Sequence, residues 1–176
     1  MRRINVVGTS CSGKTTLARR LATAVGVRHV ELDALYWGPD WQPVATELFE
    51  GRVRQATDAP AWVVDGGYRS VRHITWSRVD TIVWLDYPLH LVLSRWARRT
   101  LARVQSREEF WPGTGNRERM SHIAGRDSLL WWILTTHRGR RQRLVEHLAL
   151  RPDLRLVHLR SPSEAEAWIA SIAGGR

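Results

Sequence analysis

The segment Gly8-Thr9-Ser10-Cys11-Ser12-Gly13-Lys14-Thr15 carries two glycines, a lysine and a hydroxyl in the spacing G-x-x-x-x-G-K-[ST]. These residue types suit a polyphosphate. Gly8 and Gly13 let the backbone curl around phosphate oxygens where a Cβ would collide. The N–H groups of Ser10, Cys11, Ser12, Gly13, Lys14, Thr15 and Thr16 would then form an anion nest at the positive end of a following helix. Lys14 would reach the β and γ phosphates of ATP or a close analogue, and the Thr15 hydroxyl would ligate Mg²⁺. Lys14 is also the only lysine in the chain; every other basic residue is arginine or histidine. A lysine is a thin point charge that threads between loop and phosphate, whereas an arginine is a wide planar fork. Genomic codon bias accounts for the arginines but not for the lysine at this position. The bland alternative is a chance glycine-rich turn, and the flanking pattern argues against it. Cys11 occupies a variable position of the motif and reads as filler there.

The loop needs a strand before it and a helix after it, and the pattern supplies both. Residues 4–7 are a short apolar run, and 14–25 has helical spacing with Leu17, Leu21 and Val25 on one face. Further strands are expected at 27–32, 61–64, 81–85 and 154–159. Helices are expected at 44–57, 89–104, 119–150 (one long or two) and 163–172, the last capped by Ser161 or Ser163. Residues 105–118, with Pro112, Gly113 and Gly115, read as a loop. Apolar strands separated by helices imply βαβ units and a parallel sheet covered on both faces. Ligands of such sheets sit beyond the carboxyl ends of the strands. Asp33, Asp65 and Asp86 all follow a predicted strand. A carboxylate at Asp33 could orient or deprotonate an attacking hydroxyl; as a structural residue it would be a helix cap or turn. Asp65, after Trp62-Val63-Val64, would support Mg²⁺. Asp86 reads as structural.

At 176 residues, 43% hydrophobic and 25% charged, the chain suits one globular domain spanning 1–176. No apolar run approaches the ~18 residues that span a bilayer. The N-terminus lacks a signal-peptide pattern, and one cysteine cannot form an internal disulfide, so a cytoplasmic location is expected. The formal charge of +10 favours anionic partners. Of the ten tryptophans, Trp62 and Trp84 fall inside strands and read as core, while Trp37 and Trp41 follow Asp33 and could wall an acceptor pocket. The histidines show no metal-ligand spacing.

Beyond these residues the sequence resembles the adenylate-kinase-like P-loop kinases, and within them the bacterial subgroup labelled topology modulation protein. The resemblance rests on the phosphate loop, on Glu31-Leu32-Asp33-Ala34-Leu35-Tyr36-Trp37, on Trp62-Val63-Val64-Asp65-Gly66-Gly67-Tyr68 and on Trp84-Leu85-Asp86-Tyr87-Pro88. It implies a three-layer α/β fold with a five-stranded parallel sheet in the order 2-3-1-4-5 and a short Arg-rich lid near 103–119. Asp65-Gly66-Gly67-Tyr68-Arg69 is similar to the Asp-Gly-Phe-Pro-Arg segment of adenylate kinases. That likeness implies that Asp65 holds a Mg²⁺-bound water and that Arg69 grips an acceptor phosphate, although Gly67-Tyr68 departs from the pattern. Arg95 and Arg99 would contact the nucleotide, with Arg98 a neighbour that could assist. The lid has no cysteine for zinc. Arg103, Arg107, Arg117 and Arg119 lie on or beside it, and one of Arg138, Arg140 and Arg141 would return to the γ phosphate. The expected activity is Mg²⁺-dependent phosphoryl transfer from ATP to a small acceptor, either a nucleoside monophosphate (through Arg69) or a hydroxyl-bearing metabolite (through Asp33). The alternative is a nucleic-acid-associated ATPase switched by nucleotide, whose mark would be steeply salt-dependent DNA or RNA binding.

Overall fold

The computed structural model describes residues 1–106, 108–118, 125–126 and 128–174. Five strands, β1 (Arg3–Gly8), β2 (Arg28–Glu31), β3 (Trp62–Asp65), β4 (Thr81–Leu85) and β5 (Arg155–Leu159), form one sheet in the order β2-β3-β1-β4-β5. Every neighbouring pair is parallel. The strands β3 and β4 are buried along their whole length. That is why they read as unbroken apolar runs and not as alternating ones. Edge strand β5 exposes Arg155 and Leu156 at its start.

The helices are α1 (Lys14–Val25), α2 (Leu32–Tyr36), α3 (Thr46–Ala56), α4 (Arg72–Thr75), α5 (Leu89–Ser106), α6 (Leu129–Ala149) and α7 (Pro162–Gly174). Leu17 and Leu21 of α1, Val92 of α5 and Ile169 of α7 pack with Ile4, Val6, Val63 and Val83 in one core layer. Phe49 and Val53 of α3, with Ile74 and Trp76, pack with Val7, Val30, Trp62, Val64, Ile82 and Trp84 in the other. Helix α6 joins the two layers: Ile133 is buried in the first, and Leu144 and Leu148 pack against the second. Its middle turns carry His137, which shares a hydrogen bond with Thr9 after β1, and Arg140.

Helix α1 runs over the predicted residues. Gly26 ends it at φ 71°, its N–H returning to Ala22 O and Thr23 O. Strand β2 ends at Glu31, one residue earlier than expected, because Leu32 already begins α2 and is buried there. Asp33 therefore lies in the first turn of a short helix. Helix α6 starts at Leu129, so the expected segment 119–150 is not one long helix: the Ser128 Oγ accepts the Trp131 N–H at 3.2 Å, and Gly125 before it has φ 121°. The rest of that predicted segment, 119–124 and 127, lies outside the described residues. Ser161 caps α7, accepting the Glu164 N–H at 3.2 Å. Helix α5 continues to Ser106, so the first part of the expected lid is helical.

A buried polar residue connects this core to the site. Asn5 of β1 is 2% exposed. Its Nδ2 donates to Val64 O (3.2 Å) and Gly66 O (3.0 Å), and its Oδ1 accepts the Trp76 indole N–H at 2.9 Å. Each of these polar atoms is paired, and the bonds fix the turn that follows Asp65.

Candidate active site

The phosphate loop leaves β1 at Gly8, whose φ is 153°. A Cβ there would stand 2.7 Å from Leu85 O and 2.9 Å from Ser12 Oγ, so only glycine fits. Gly13 is left-handed at φ 94°, and Cys11 takes a left-handed φ of 65° that few non-glycine residues adopt. Strain of this kind persists where surrounding structure enforces it. Lys14 Nζ donates to Thr9 O at 3.0 Å, which folds the amine over the loop. Burial pulls its pKa below the usual lysine value, while Asp33 and Asp65 oppose the shift and Arg140 adds to it. Lys14, Asp33, Asp65 and Arg140 therefore share one electrostatic space.

Two helices brace the loop. Arg95 of α5 donates to Ser12 O at 2.6 Å, and its guanidinium lies 5.1 Å from the centre of the Tyr87 ring. Thr9 Oγ1 and His137 Nδ1 of α6 share a hydrogen bond of 2.9 Å. Burial pulls the His137 pKa down. Ser12 Oγ and Arg99 Nε are buried and bond to nothing among the described residues. Orphaned donors at the mouth of a glycine cradle fit a bound polyphosphate. Thr16 is exposed at the outer side of the first turn of α1, and Ser10 is half-buried.

Asp65, 2% exposed at the carboxyl end of β3, lies beside that cradle. Its Oδ1 is 3.4 Å from Thr15 Oγ1, and its Oδ2 accepts from His29 Nε2 at 2.8 Å. A hydroxyl and a carboxylate, both hard oxygen donors, suit Mg²⁺ held partly through water.

The acceptor side begins at Asp33. The Tyr68 hydroxyl donates to its Oδ1 at 2.6 Å. Burial first, and then the Asp33 charge, push the Tyr68 phenol well above its usual pKa, so it stays a neutral donor. Arg140 is half-buried and feels Asp33 and Tyr68. Arg141 instead donates to both oxygens of Asp86 (3.0 and 3.1 Å), which also pairs with His158 at 2.9 Å. Arg138 is exposed. Of the three candidates on α6, Arg140 is the one that faces the site. The Asp86 cluster ties α6 to β4 and β5, a structural clasp.

Arg69 is exposed; its neighbour Arg72 has its pKa lowered by burial first and then by the charges of Arg69, Arg140 and Arg143. Arg98 is exposed and Arg103 is stacked 3.7 Å from the Phe110 ring centre. Arg107 and Arg119 lie outside the described residues. Trp37 and Trp41 meet edge to face at 5.9 Å. The sequence reading missed Glu31, His29, Tyr68, His137 and Trp111. Period-two alternation would have put His29 and Glu31 on one face of β2, but the strand beside them was needed to see Asp65.

No protein-family model and no curated protein sequence matches the chain. Solved structures resemble it over nearly its whole length. A gluconokinase from Sinorhizobium meliloti 1021 is 21% identical with a TM-score of 0.53, covering 98% of this chain and 94% of that one. A sugar kinase from Janibacter sp. HTCC2649 is 20% identical with a TM-score of 0.53, covering 97% and 91%. A shikimate kinase from Aquifex aeolicus is 14% identical with a TM-score of 0.52, covering 98% and 96%. At these identities the likeness shows a shared α/β fold.

Proposed function

We propose that the protein transfers the γ-phosphoryl group of ATP to the hydroxyl of a small acceptor. The observation that carries this reading is the convergence of Lys14, Asp33, Asp65 and Arg140 at the mouth of a glycine cradle with orphaned donors. The structural neighbours named as kinases of gluconate, sugar and shikimate support it.

In this mechanism the loop N–H groups, Ser12 Oγ and Lys14 hold the β and γ phosphates. Arg95 fixes the loop through Ser12 O, and Arg99 presents its free Nε to the nucleotide. Thr15 and Asp65 would hold Mg²⁺, with His29 orienting the carboxylate. Bound between these two side chains, Mg²⁺ would supply charge neutralisation at the phosphates. Tyr68 holds Oδ1 of Asp33, which leaves Oδ2 to take the acceptor proton. The acceptor oxygen then bonds to the γ phosphorus, the bond from that phosphorus to the bridging oxygen breaks, and ADP leaves. Arg140 and Lys14 both feel the charge of Asp33, so they would neutralise negative charge developing on the transferred group as it forms. A half-buried Arg140 beside Asp33 also suits an acceptor that bears an anion as well as a hydroxyl.

A nucleoside monophosphate acceptor would depend on Arg69. Its exposure favours the hydroxyl class. The test is ADP release from Mg-ATP with a panel of hydroxy acids, polyols and nucleoside monophosphates, using Lys14→Ala as the blank. Stimulation by a hydroxy acid or polyol is expected. Stimulation by monophosphates alone would overturn the acceptor class and return Arg69 to the site.

A further inference from the structure

A loop between α5 and α6 that served the nucleotide would carry positive charge to its phosphates. Residues 108–118 do not do this. Arg117 is exposed and donates to Glu109 at 3.4 Å, across the β-bridge that pairs these two residues. The charge from this loop that is felt at Cys11 is that of Glu118, the wrong sign for gripping phosphate. What the loop turns inward is an amide and an indole.

Asn116 is 1% exposed. Its Nδ2 donates to Gly38 O at 2.8 Å, and its Oδ1 accepts the Trp41 N–H at 2.9 Å. It therefore bridges a turn in which two successive residues, Asp40 (φ 54°) and Trp41 (φ 58°), are left-handed. Such non-glycine residues cost on the order of 1 kcal/mol each, so the turn needs an outside support. The Trp41 ring meets Phe110 at 4.7 Å and Trp111 at 5.8 Å, both edge to face. Trp111 Nε1 then donates to Glu31 Oε1 at 3.1 Å. Glu31 is in register with Asp65 and two residues before Asp33. Burial first, and the charges of Asp65 and Asp33 with it, raise its carboxyl pKa; the indole N–H works the other way. The loop is thus fastened to the acceptor side through Gly38, Trp41 and Glu31.

We propose that residues 108–118 are the specificity element for the phosphoryl acceptor. Trp111 is a wall of the acceptor pocket, and Asn116 is the positioning residue that holds Trp111 and the 38–41 turn in place. The proposal rests on the phosphotransfer reading above. Its physical content is that this loop excludes water and shapes the acceptor space without contributing to nucleotide affinity.

The test uses the full chain with Asn116→Ala and, as a milder change, Trp111→Phe, which keeps a ring but removes the indole N–H. Affinity for Mg-AMP-PNP is measured by calorimetry, and slow hydrolysis of Mg-ATP by water is measured above the Lys14→Ala background. Both variants should bind Mg-AMP-PNP within about twofold of wild type, since on this assignment the loop adds nothing to ground-state nucleotide binding. Hydrolysis should rise about fivefold or more, because water reaches a site the wall had closed. A tenfold or greater loss of nucleotide affinity, on the order expected of a phosphate-gripping lid, would overturn the proposal. So would hydrolysis that is unchanged or reduced. Failure of every hydroxy acid, polyol and monophosphate to raise wild-type ADP release above the Lys14→Ala background would instead sink the phosphotransfer reading, and the loop assignment with it.

Discussion

Replacing Tyr68 by Phe isolates the bond that aims Asp33. The ring contacts survive: Tyr36 and Phe49 lie 4.5 and 5.2 Å from the Tyr68 ring centre. What is lost is one hydroxyl donating at 2.6 Å to a carboxylate. Bonds to charged groups contribute about 1.5–3 kcal/mol. Both partners are half-exposed, so solvent compensates part of the loss and about 1–2 kcal/mol remains. For a chain of this size each kcal/mol moves Tm by about 2–4 °C, so Tyr68→Phe should melt about 2–8 °C lower at neutral pH. The pH dependence has a definite sign. The folded phenol pKa is raised, by burial and by Asp33. A raised pKa contributes stability that is complete below the unfolded phenol value of about 10 and is lost as pH climbs above it. The gap between wild type and variant should hold from about pH 7 to about pH 9 and shrink above about pH 10, at up to about 1.4 kcal/mol per unit. Paired thermal melts across that range measure it, and turnover with an active acceptor should fall about tenfold as Asp33 loses its fixed rotamer. Equal melting at neutral pH, or a gap that widens in alkali, would refute the assignment.

Other perturbations probe separate parts of the molecule. Asp33→Asn should cut transfer to acceptor by about 10²–10⁴ while Mg-AMP-PNP affinity changes little, because it removes a base and leaves the phosphate loop intact; unchanged turnover would take Asp33 out of the mechanism. Gly8→Ala should nearly abolish nucleotide binding, since its Cβ would meet Leu85 O at 2.7 Å; calorimetry showing wild-type affinity would contradict the cradle geometry. Asp80 accepts the N–H groups of Arg2 and Arg3, both at 2.9 Å, and the Thr81 hydroxyl at 2.7 Å. Burial alone would raise its carboxyl, but these donors outweigh burial and hold the pKa below the usual value. A depressed pKa contributes stability above the unfolded value of about 3.9 and loses it as pH falls further. Asp80→Asn should therefore melt lower than wild type at neutral pH, with the difference closing in acid; a difference that grew in acid would reverse the sign.

The phosphate loop and α1 were legible because their constraints are local. Glycine at φ 153°, a lysine at fixed offset and an amphipathic helix ending at Gly26 are all written within about twenty residues. The strands showed as apolar runs, and their order followed from the resemblance, since nothing in an apolar run names its neighbour. The acceptor side was harder because its contacts join distant segments. Tyr68 meets Asp33 across 35 positions, Asn116 meets Gly38 across 78, and Trp111 meets Glu31 across 80. Arg140 could be told from Arg138 and Arg141 only once α6 had a rotation about its axis. A single unbroken helix from 119 to 150 is ruled out by the Ser128 cap and by Gly125 at φ 121°, whose backbone breaks a helix that composition alone would continue.

A chain whose only side-chain amine sits in its phosphate loop can be interrogated by chemistry that ignores every other side chain. Burial has lowered the Lys14 pKa, so a larger share of its amine is the unprotonated nucleophile at a given pH. Acylating or aldehyde reagents that normally scatter over a protein surface would, apart from the chain's α-amine, report on this single position, and bound nucleotide would shield it. An endoprotease that cuts after lysine would have one bond to cleave, inside the cradle and out of reach while the fold holds.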